Sequence, residues 1–346
     1  MKAAVLYETE KSLVIENGIE IPPLQAGQVL VKVAYSGICG SQLMEVKGKR
    51  GEDAYLPHLL GHEASGWVVD IGSNVTKVKP GDKVVLTWIK GSGADCKGAK
   101  YKIGNTTLNS GGVTTFSNYT VVSENRCVIL EEGISMELAA LLGCAVPTGA
   151  GIVFNTLRPG KDASIAIFGV GGIGLSAILG AKMHECSRII AVDIEDKKLE
   201  LAKEFGATDV INCKTENPVK KINQITKGQG IDYSIEAAGI AKVVESAFQS
   251  IKYNGGLCVI AGHPDCKERI QLDPFDLIRG KKIVGSWGGE CLPDKDIPMY
   301  VKYYKNGKLP LERMISQVYP LEKINEALSE LENGRAHRIL IRMDHP

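Results

Sequence analysis

Between residues 163 and 193 the chain carries a pattern that few folds can hold. Ala163-Ser-Ile-Ala-Ile-Phe168 is an apolar run of strand length, Gly169-Val-Gly171-Gly172-Ile173-Gly174 follows without a break, and a helix-like stretch runs from Leu175 to Met183. Glycines at 169, 171 and 174 permit a tight turn, close approach of backbone N–H groups to a pyrophosphate, and tight packing of helix on strand. The next apolar run, Arg188 to Asp193, ends in an acid about 20 residues past the glycines, where a carboxylate can accept hydrogen bonds from both hydroxyls of an adenosine ribose. That charge would repel a 2′-phosphate, and Ile194-Glu-Asp-Lys-Lys198 offers no arginine in its place, so NAD is expected rather than NADP.

At 346 residues the chain exceeds the size at which one hydrophobic core keeps growing, so two domains are expected. From 151 to 290 strands and helical stretches alternate. After the two strands above come 209–212, 231–236, 256–261 and 281–286, with a helix at 196–205, which together make a six-stranded doubly wound α/β sheet. Residues 1–150 are short and β-rich instead (2–7, 28–34, 66–71, 82–87 and 119–122). Glycine and proline punctuate them, as at Pro22-Pro23 and Lys79-Pro-Gly-Asp82, a pattern that suits a compact barrel. The stretch 291–346, with a helix at 321–333 and a strand at 338–343, is too short to fold alone and is expected to return and complete the first domain.

Lys and Arg total 41 against 40 Asp and Glu, and this net charge of +1 argues against a nucleic-acid partner. No segment approaches 18 uninterrupted apolar residues, and the apolar run at Met1 to Tyr7 is too short for a signal peptide, so no membrane partner is expected. Nine cysteines without framework spacing suit a reducing compartment, which points to the cytoplasm.

Some of those cysteines have another use. Cys39, His62 in Gly61-His62-Glu63, and Cys144 together offer one imidazole and two thiolates to a soft tetrahedral cation, leaving the fourth position for water or substrate. Taken singly, each reads more simply as a buried core residue. Cys127, Cys186, Cys213, Cys258, Cys266 and Cys291 have no such context and read as structural.

The whole chain resembles the zinc-dependent alcohol dehydrogenases of the medium-chain dehydrogenase/reductase superfamily. The resemblance rests on Gly37-Ile-Cys39-Gly-Ser41, Gly61-His62-Glu63, Val78-Lys-Pro-Gly-Asp82-Lys-Val84, Cys144-Ala-Val-Pro-Thr148-Gly and the glycine turn, in that order. It implies a GroES-like β-barrel catalytic domain, a Rossmann cofactor domain, and one catalytic zinc ion above a nicotinamide. The ligands it implies are Cys39, His62 and Cys144, with Glu63 visiting the metal when water exchanges and Ser41 relaying the proton. On the cofactor side it implies Asp193 and Lys198 at the adenosine ribose, Thr148 and Ile173 beside the nicotinamide, Arg338 at the pyrophosphate, and His263 near the nicotinamide end. It further implies a homodimer or homotetramer joined through the cofactor domains, acting on a small alcohol or carbonyl compound.

Three departures matter. Many relatives hold a second, structural zinc ion on four cysteines, but the corresponding stretch 90–109 has only Cys96, with Lys90, Gly93 and Gly104 at the other positions. One thiolate cannot close a tetrahedral site, so one zinc per chain is expected, with this lobe fixed by packing and hydrogen bonds or else partly mobile. Gln42 stands where relatives have an acid; a neutral amide can accept the imidazole N–H of His62 but pushes less electron density toward the metal. Met44 replaces a histidine that in some relatives carries the proton onward, leaving Ser41 to pass it through the nicotinamide ribose and water, or through His263.

The expected activity is hydride transfer between NAD and a secondary alcohol, polyol or sugar hydroxyl. Lys47, Lys49 and Arg50, with Lys90, Lys97, Lys100 and Lys102, admit an anionic substrate, although ordinary solvated loop charges are the simpler reading. Two alternatives stand beside it: a zinc-free quinone or enoyl reductase of the same superfamily, which has no need of the Cys39, His62 and Cys144 set, and a dinucleotide-binding protein without turnover.

Overall fold

The computed structural model describes residues 1–345. The chain runs β1 (Ala3–Leu6), β2 (Val14–Glu16), β3 (Gln28–Ile38), α1 (Gly40–Val46), β4 (His58–Leu59), β5 (Glu63–Ile71), β6 (Lys83–Thr87), β7 (Tyr101–Ile103), β8 (Thr106–Leu108), β9 (Tyr119–Ser123), β10 (Cys127–Ile129), α2 (Met136–Ala139) and α3 (Ala145–Gly151). It continues β11 (Ser164–Phe168), α4 (Gly172–Met183), β12 (Arg188–Asp193), α5 (Asp196–Phe205), β13 (Asp209–Asn212), α6 (Pro218–Ile225), β14 (Tyr233–Glu236), α7 (Ala241–Ser250), β15 (Leu257–Ile260), α8 (Pro274–Ile278) and β16 (Lys282–Gly285). It ends α9 (Pro293–Lys305), β17 (Gln317–Pro320), α10 (Ile324–Glu332) and β18 (Ile339–Arg342). Two units result: Met1–Cys144 with Leu292–Pro346, and Ala145–Cys291. The division falls at 144/145 and 291/292 rather than 150/151 and 290/291, because α3 opens the second unit.

In the first unit a seven-stranded sheet runs β10-β6-β5-β3-β18-β17, with β9 also on β3, beside a three-stranded sheet β2-β1-β4. β3 is the spine; it extends past the expected residue 34 to Ile38 because its far half pairs with β18, Ile339 opposite Ile38 and Ile341 opposite Ser36. The C-terminal stretch thus returns to complete this unit. Its helix α10 places Ile324, Ala327, Leu328 and Leu331 on one face, against a core that includes Val31, Val33, Leu86 and Ile339.

The lobe at 90–109 is fixed. β7 and β8 form a hairpin, and Tyr101 and Leu108 are fully buried beside Ala3, Val5 and Val121. Glu124, 2% exposed, accepts backbone N–H groups from Thr76 (2.6 Å), Lys77 (2.7 Å) and Ala94 (2.8 Å). Burial alone would raise this carboxyl; the N–H bonds from Ala94, Lys77 and Thr76 hold it below its ordinary value. One ionised side chain therefore ties the start of the lobe, at Ala94, to the chain at Thr76 and Lys77.

The second unit is a six-stranded parallel sheet in the order β13-β12-β11-β14-β15-β16. Consecutive strands run outward from β11 on one side, then from β14 on the other, so the order reverses between β11 and β14. In such sheets ligands bind outside the carboxyl ends of the strands at that reversal. Ala166, Phe168, Val192, Ile211 and Phe248 fill one face of this sheet.

Candidate metal centre and cofactor turn

Three separate elements deliver the sulfur and nitrogen atoms of the metal centre, all within the first unit. Cys39 follows β3 as the N-cap of α1, His62 lies between β4 and β5, and Cys144 closes the turn after α2. One ligand atom from each lies within 4.8 Å of the other two, with His62 Nε2 at 3.2 Å from Cys144 Sγ.

The electrostatics suit a cation. Hydrogen-bonded to Cys144, the Cys39 thiol is held well below its ordinary value in spite of its burial, with His62 and Arg338 adding to the effect. Cys144, bonded to Cys39 and buried, is pushed well above. Burial alone would lower His62; the Cys39 thiolate beside it reverses this and raises it. Two thiols and an imidazole therefore crowd around protons that a soft divalent ion would displace, and the set fits zinc by number and donor type.

Beneath the thiolates lies a buried ion pair. Glu63 is fully buried, Arg338 is 3% exposed, and Glu63 Oε1 meets Arg338 Nη2. Burial raises the Glu63 carboxyl, with Arg338 opposing it, and Arg338 Nη1 also donates to the Ile38 carbonyl at 3.1 Å. Gly37 makes room, since a Cβ there would come within 2.6 Å of Glu63 Cδ. The residue expected at a pyrophosphate, Arg338, is thus paired with the carboxylate expected to visit the metal, Glu63. Nothing in the local sequence announces this pair, because its members are far apart in the chain.

The first turn of α1 brings two more groups. Ser41 Oγ lies 3.5 Å from His62 Nδ1. Gln42, 2% exposed, contacts the same Nδ1 through its amide nitrogen while its Oε1 accepts the Cys39 N–H at 3.0 Å. The amide oxygen expected on the imidazole is engaged by the backbone N–H of Cys39 instead, so Gln42 links Cys39 to His62.

The cofactor turn is built inside the second unit from backbone. Gly169 donates to the Val192 carbonyl at 2.8 Å, and a Cβ on Gly174 would run into the Gly169 carbonyl oxygen, which is why strand and helix can meet so closely. Asp193 Oδ2 accepts from Val170 N–H at 2.7 Å, and its Oδ1 from Ile194 at 2.8 Å and Glu195 at 3.0 Å, so the acid also ties down the turn itself. No side chain caps the start of α4 at Gly171 and Gly172, which leaves its first N–H groups for an anion. Thr148, on α3, is 5% exposed with no hydrogen-bond partner for its Oγ1, and Gly149 beside it packs on Ile173. An orphaned hydroxyl and uncapped helix N–H groups fit a dinucleotide. Lys198 lies half-buried in the first turns of α5, and His263 is exposed, its Nδ1 3.0 Å from the Pro264 carbonyl.

One acid in this unit was missed from the sequence. Glu236, at the end of β14 beside Phe168, is fully buried; its Oε1 accepts from Ala238 (2.8 Å) and Gly239 (2.7 Å), while Oε2 has no partner. Burial pushes its carboxyl up to about 7, against the backbone N–H bonds. A carboxylate at a strand end, followed by Ala-Ala-Gly, was the available signal.

Residues 172–305 match the zinc-binding dehydrogenase family, and residues 25–132 match the alcohol dehydrogenase GroES-like domain. Alcohol dehydrogenase 1 of Trifolium repens is 32% identical over 371 residues, which span 99% of this chain and 97% of that protein. S-(hydroxymethyl)glutathione dehydrogenase of Synechocystis sp. is 33% identical over 98% of this chain and 99% of its own length. Among solved structures, benzyl alcohol dehydrogenase from Acinetobacter calcoaceticus superposes with a TM-score of 0.89 at 33% identity, over 99% of both chains.

Proposed function

Because the chain belongs to the zinc-type medium-chain alcohol dehydrogenases and is an NAD-dependent enzyme of that kind, we propose that Cys39, His62 and Cys144 hold its one tightly bound zinc ion and that an uncharged secondary alcohol, polyol or sugar hydroxyl is its substrate. The convergence of those three ligand atoms within 4.8 Å carries the reading. Bound zinc supplies Lewis acidity to an alcohol oxygen, and NAD supplies the hydride acceptor.

The chain's own residues do the rest. Two ionised thiols balance the charge of a divalent ion, and Arg338 balances Glu63, so the buried centre carries no net charge that would have to be desolvated. Ser41 Oγ, beside the His62 ring, takes the proton from the alcohol and passes it toward solvent. In the second unit the turn from Gly169 to Gly174 receives the pyrophosphate, Asp193 and Lys198 the adenosine ribose, and Thr148 and Ile173 the nicotinamide end, with His263 as a second carrier of the proton.

The uncharged substrate is supported by local pairing at three of the seven cations that could draw an anion: Lys47 meets Glu332 at 2.8 Å, Arg50 meets Glu45 at 3.3 Å and Lys90 meets Asp95 at 2.6 Å. The lobe takes no zinc in this reading: Cys96 Sγ donates to the Ala26 carbonyl at 3.2 Å, and Glu124 holds the Ala94 N–H. Homodimers or homotetramers through the second unit are supported by its exposed edge, where β16 and its neighbours present Ile278 (78% exposed) and Trp287 (76%). None of the nine cysteines is in a disulfide, which supports the cytoplasm as the compartment.

The test is NAD reduction with paired neutral and phosphorylated alcohols, at low and high salt, with and without a chelator. The reading expects chelator-sensitive turnover of neutral alcohols with kcat/KM unchanged by salt. A preference for the phosphorylated partner with steep salt dependence would restore the anionic substrate. Turnover that survives complete zinc removal would mark a zinc-free reductase, and no turnover on any alcohol would mark a binding protein.

A further inference from the structure

A second group of ligand atoms lies away from the thiolates. Glu45, Asp53 and His58 each bring one carboxylate oxygen or ring nitrogen to within 4.8 Å of the other two. Glu45 is in the last turn of α1, Asp53 in the loop that leaves it, and His58 opens β4. His58 is 6% exposed, with Nε2 at 2.8 Å from Asp53 Oδ2 and 3.9 Å from Glu45 Oε1.

Each of the three is anchored through its other polar atom. His58 Nδ1 lies 3.0 Å from the Leu59 carbonyl, Asp53 Oδ1 accepts the Tyr55 N–H at 2.9 Å, and Glu45 Oε2 meets Arg50 Nη1 at 3.3 Å. A carbonyl oxygen can only accept, so Nδ1 carries a proton. At 2.8 Å, Nε2 and Asp53 Oδ2 must share either a proton or a metal ion, and Glu45 Oε1 at 3.9 Å offers a third ligand to the latter. A backbone carbonyl on the far nitrogen is also how metal-ligating histidines are commonly oriented.

We propose that Glu45 Oε1, Asp53 Oδ2 and His58 Nε2 form a second metal site, for a divalent ion such as zinc, cobalt or manganese, completed by water. One imidazole and two carboxylates suit these ions, and without thiolates the site is weaker than the first. Ligand oxygens and nitrogens around tetrahedral zinc stand ~3.3 Å apart, between the 2.8 and 3.9 Å seen here, so small side-chain rotations suffice. The site clamps the segment that joins two ligands of the catalytic centre, because α1 begins next to Cys39 and β4 ends just before Gly61 and His62. Its occupancy slows the loss of the catalytic metal.

The experiment titrates cobalt(II) into full-length protein that already holds its thiolate-bound zinc, following stoichiometry by calorimetry and ligation by absorption. One further ion per chain is expected, with weak visible bands and no thiolate-to-cobalt charge transfer in the near ultraviolet. His58→Gln and Asp53→Asn should each weaken that binding about tenfold to a hundredfold while keeping the first zinc and NAD-dependent turnover. Absence of a further ion, a further ion with thiolate charge transfer, or undiminished binding in both variants would overturn the proposal. So would a His58 ring whose NMR signals show both nitrogens protonated and unmoved by cobalt, since a proton alone would then hold the cluster.

Discussion

The proposed metal centre draws Cys39, His62 and Cys144 from three places in the chain and sets them over a buried Glu63–Arg338 pair, whereas the proposed cofactor turn is one stretch of backbone from β11 to Asp193. The first depends on side-chain charge held out of water. The second depends on what glycine lacks. Damage to the metal centre should therefore appear as lost stability and lost metal, and damage to the turn as lost cofactor binding with the metal in place.

The largest separation is expected from Arg338→Met. It leaves Glu63 as an unpaired buried charge, and urea unfolding should show a loss of about 3–5 kcal/mol, much of it recovered when Glu63→Gln is added. Full stability in the single variant would mean that the pair is not what balances this centre.

Glu236 tests the second unit in the same terms. Burial raises its folded value to about 7 from an ordinary 4.5, so between those values the folded protein binds a proton that the unfolded chain releases. Its contribution to stability falls as pH rises through that window and stays low above it. Glu236→Gln should therefore flatten the slope of stability against pH between 4.5 and 7, gaining up to about 3 kcal/mol over the native chain at pH 8. Parallel curves for the two proteins would show that Glu236 does not titrate in this range.

Gly174→Ala is expected to cost about 1–3 kcal/mol through the clash with the Gly169 carbonyl, and to weaken NAD binding about tenfold. Its zinc content should equal that of the native chain; loss of zinc along with NAD would mean that the two sites are not built independently. The smallest effect is expected from Gln42→Asp, which gives the His62 ring a charged partner. The pH profile of kcat should move to the alkaline side by about one unit or less, and an unmoved profile would show that electron density at His62 is not set from this position.

This contrast also explains what the sequence could reveal. The turn was legible from residues alone because strand, glycines, helix and acid lie within one stretch and each has a local reason, and α5 falls at the expected 196–205. Cys39, His62 and Cys144 were chemically suggestive, but only the resemblance joined them, since sequence spacing does not say that β3, the β4–β5 turn and the turn after α2 converge. The Glu63–Arg338 pair was out of reach because a buried charge is identified only by its partner across β3 and β18. The lobe illustrates a third case. Its lost cysteines were visible, but Glu124 as the group that ties its start to Thr76 and Lys77 was not, since three backbone N–H groups leave no mark in a sequence. The Glu45, Asp53 and His58 cluster belongs with these, assembled by a loop whose course no periodicity predicts.

Metal analysis with NAD binding tests the central claim most directly, on native, Cys39→Ser and Cys144→Ser proteins purified without added metal and dialysed free of loosely held ions. One zinc ion per native chain is predicted, with none in either variant and NAD affinity unchanged in all three. Two tightly held zinc ions per native chain, or a full zinc content in the variants, would contradict the assignment of Cys39, His62 and Cys144 as the one tight site.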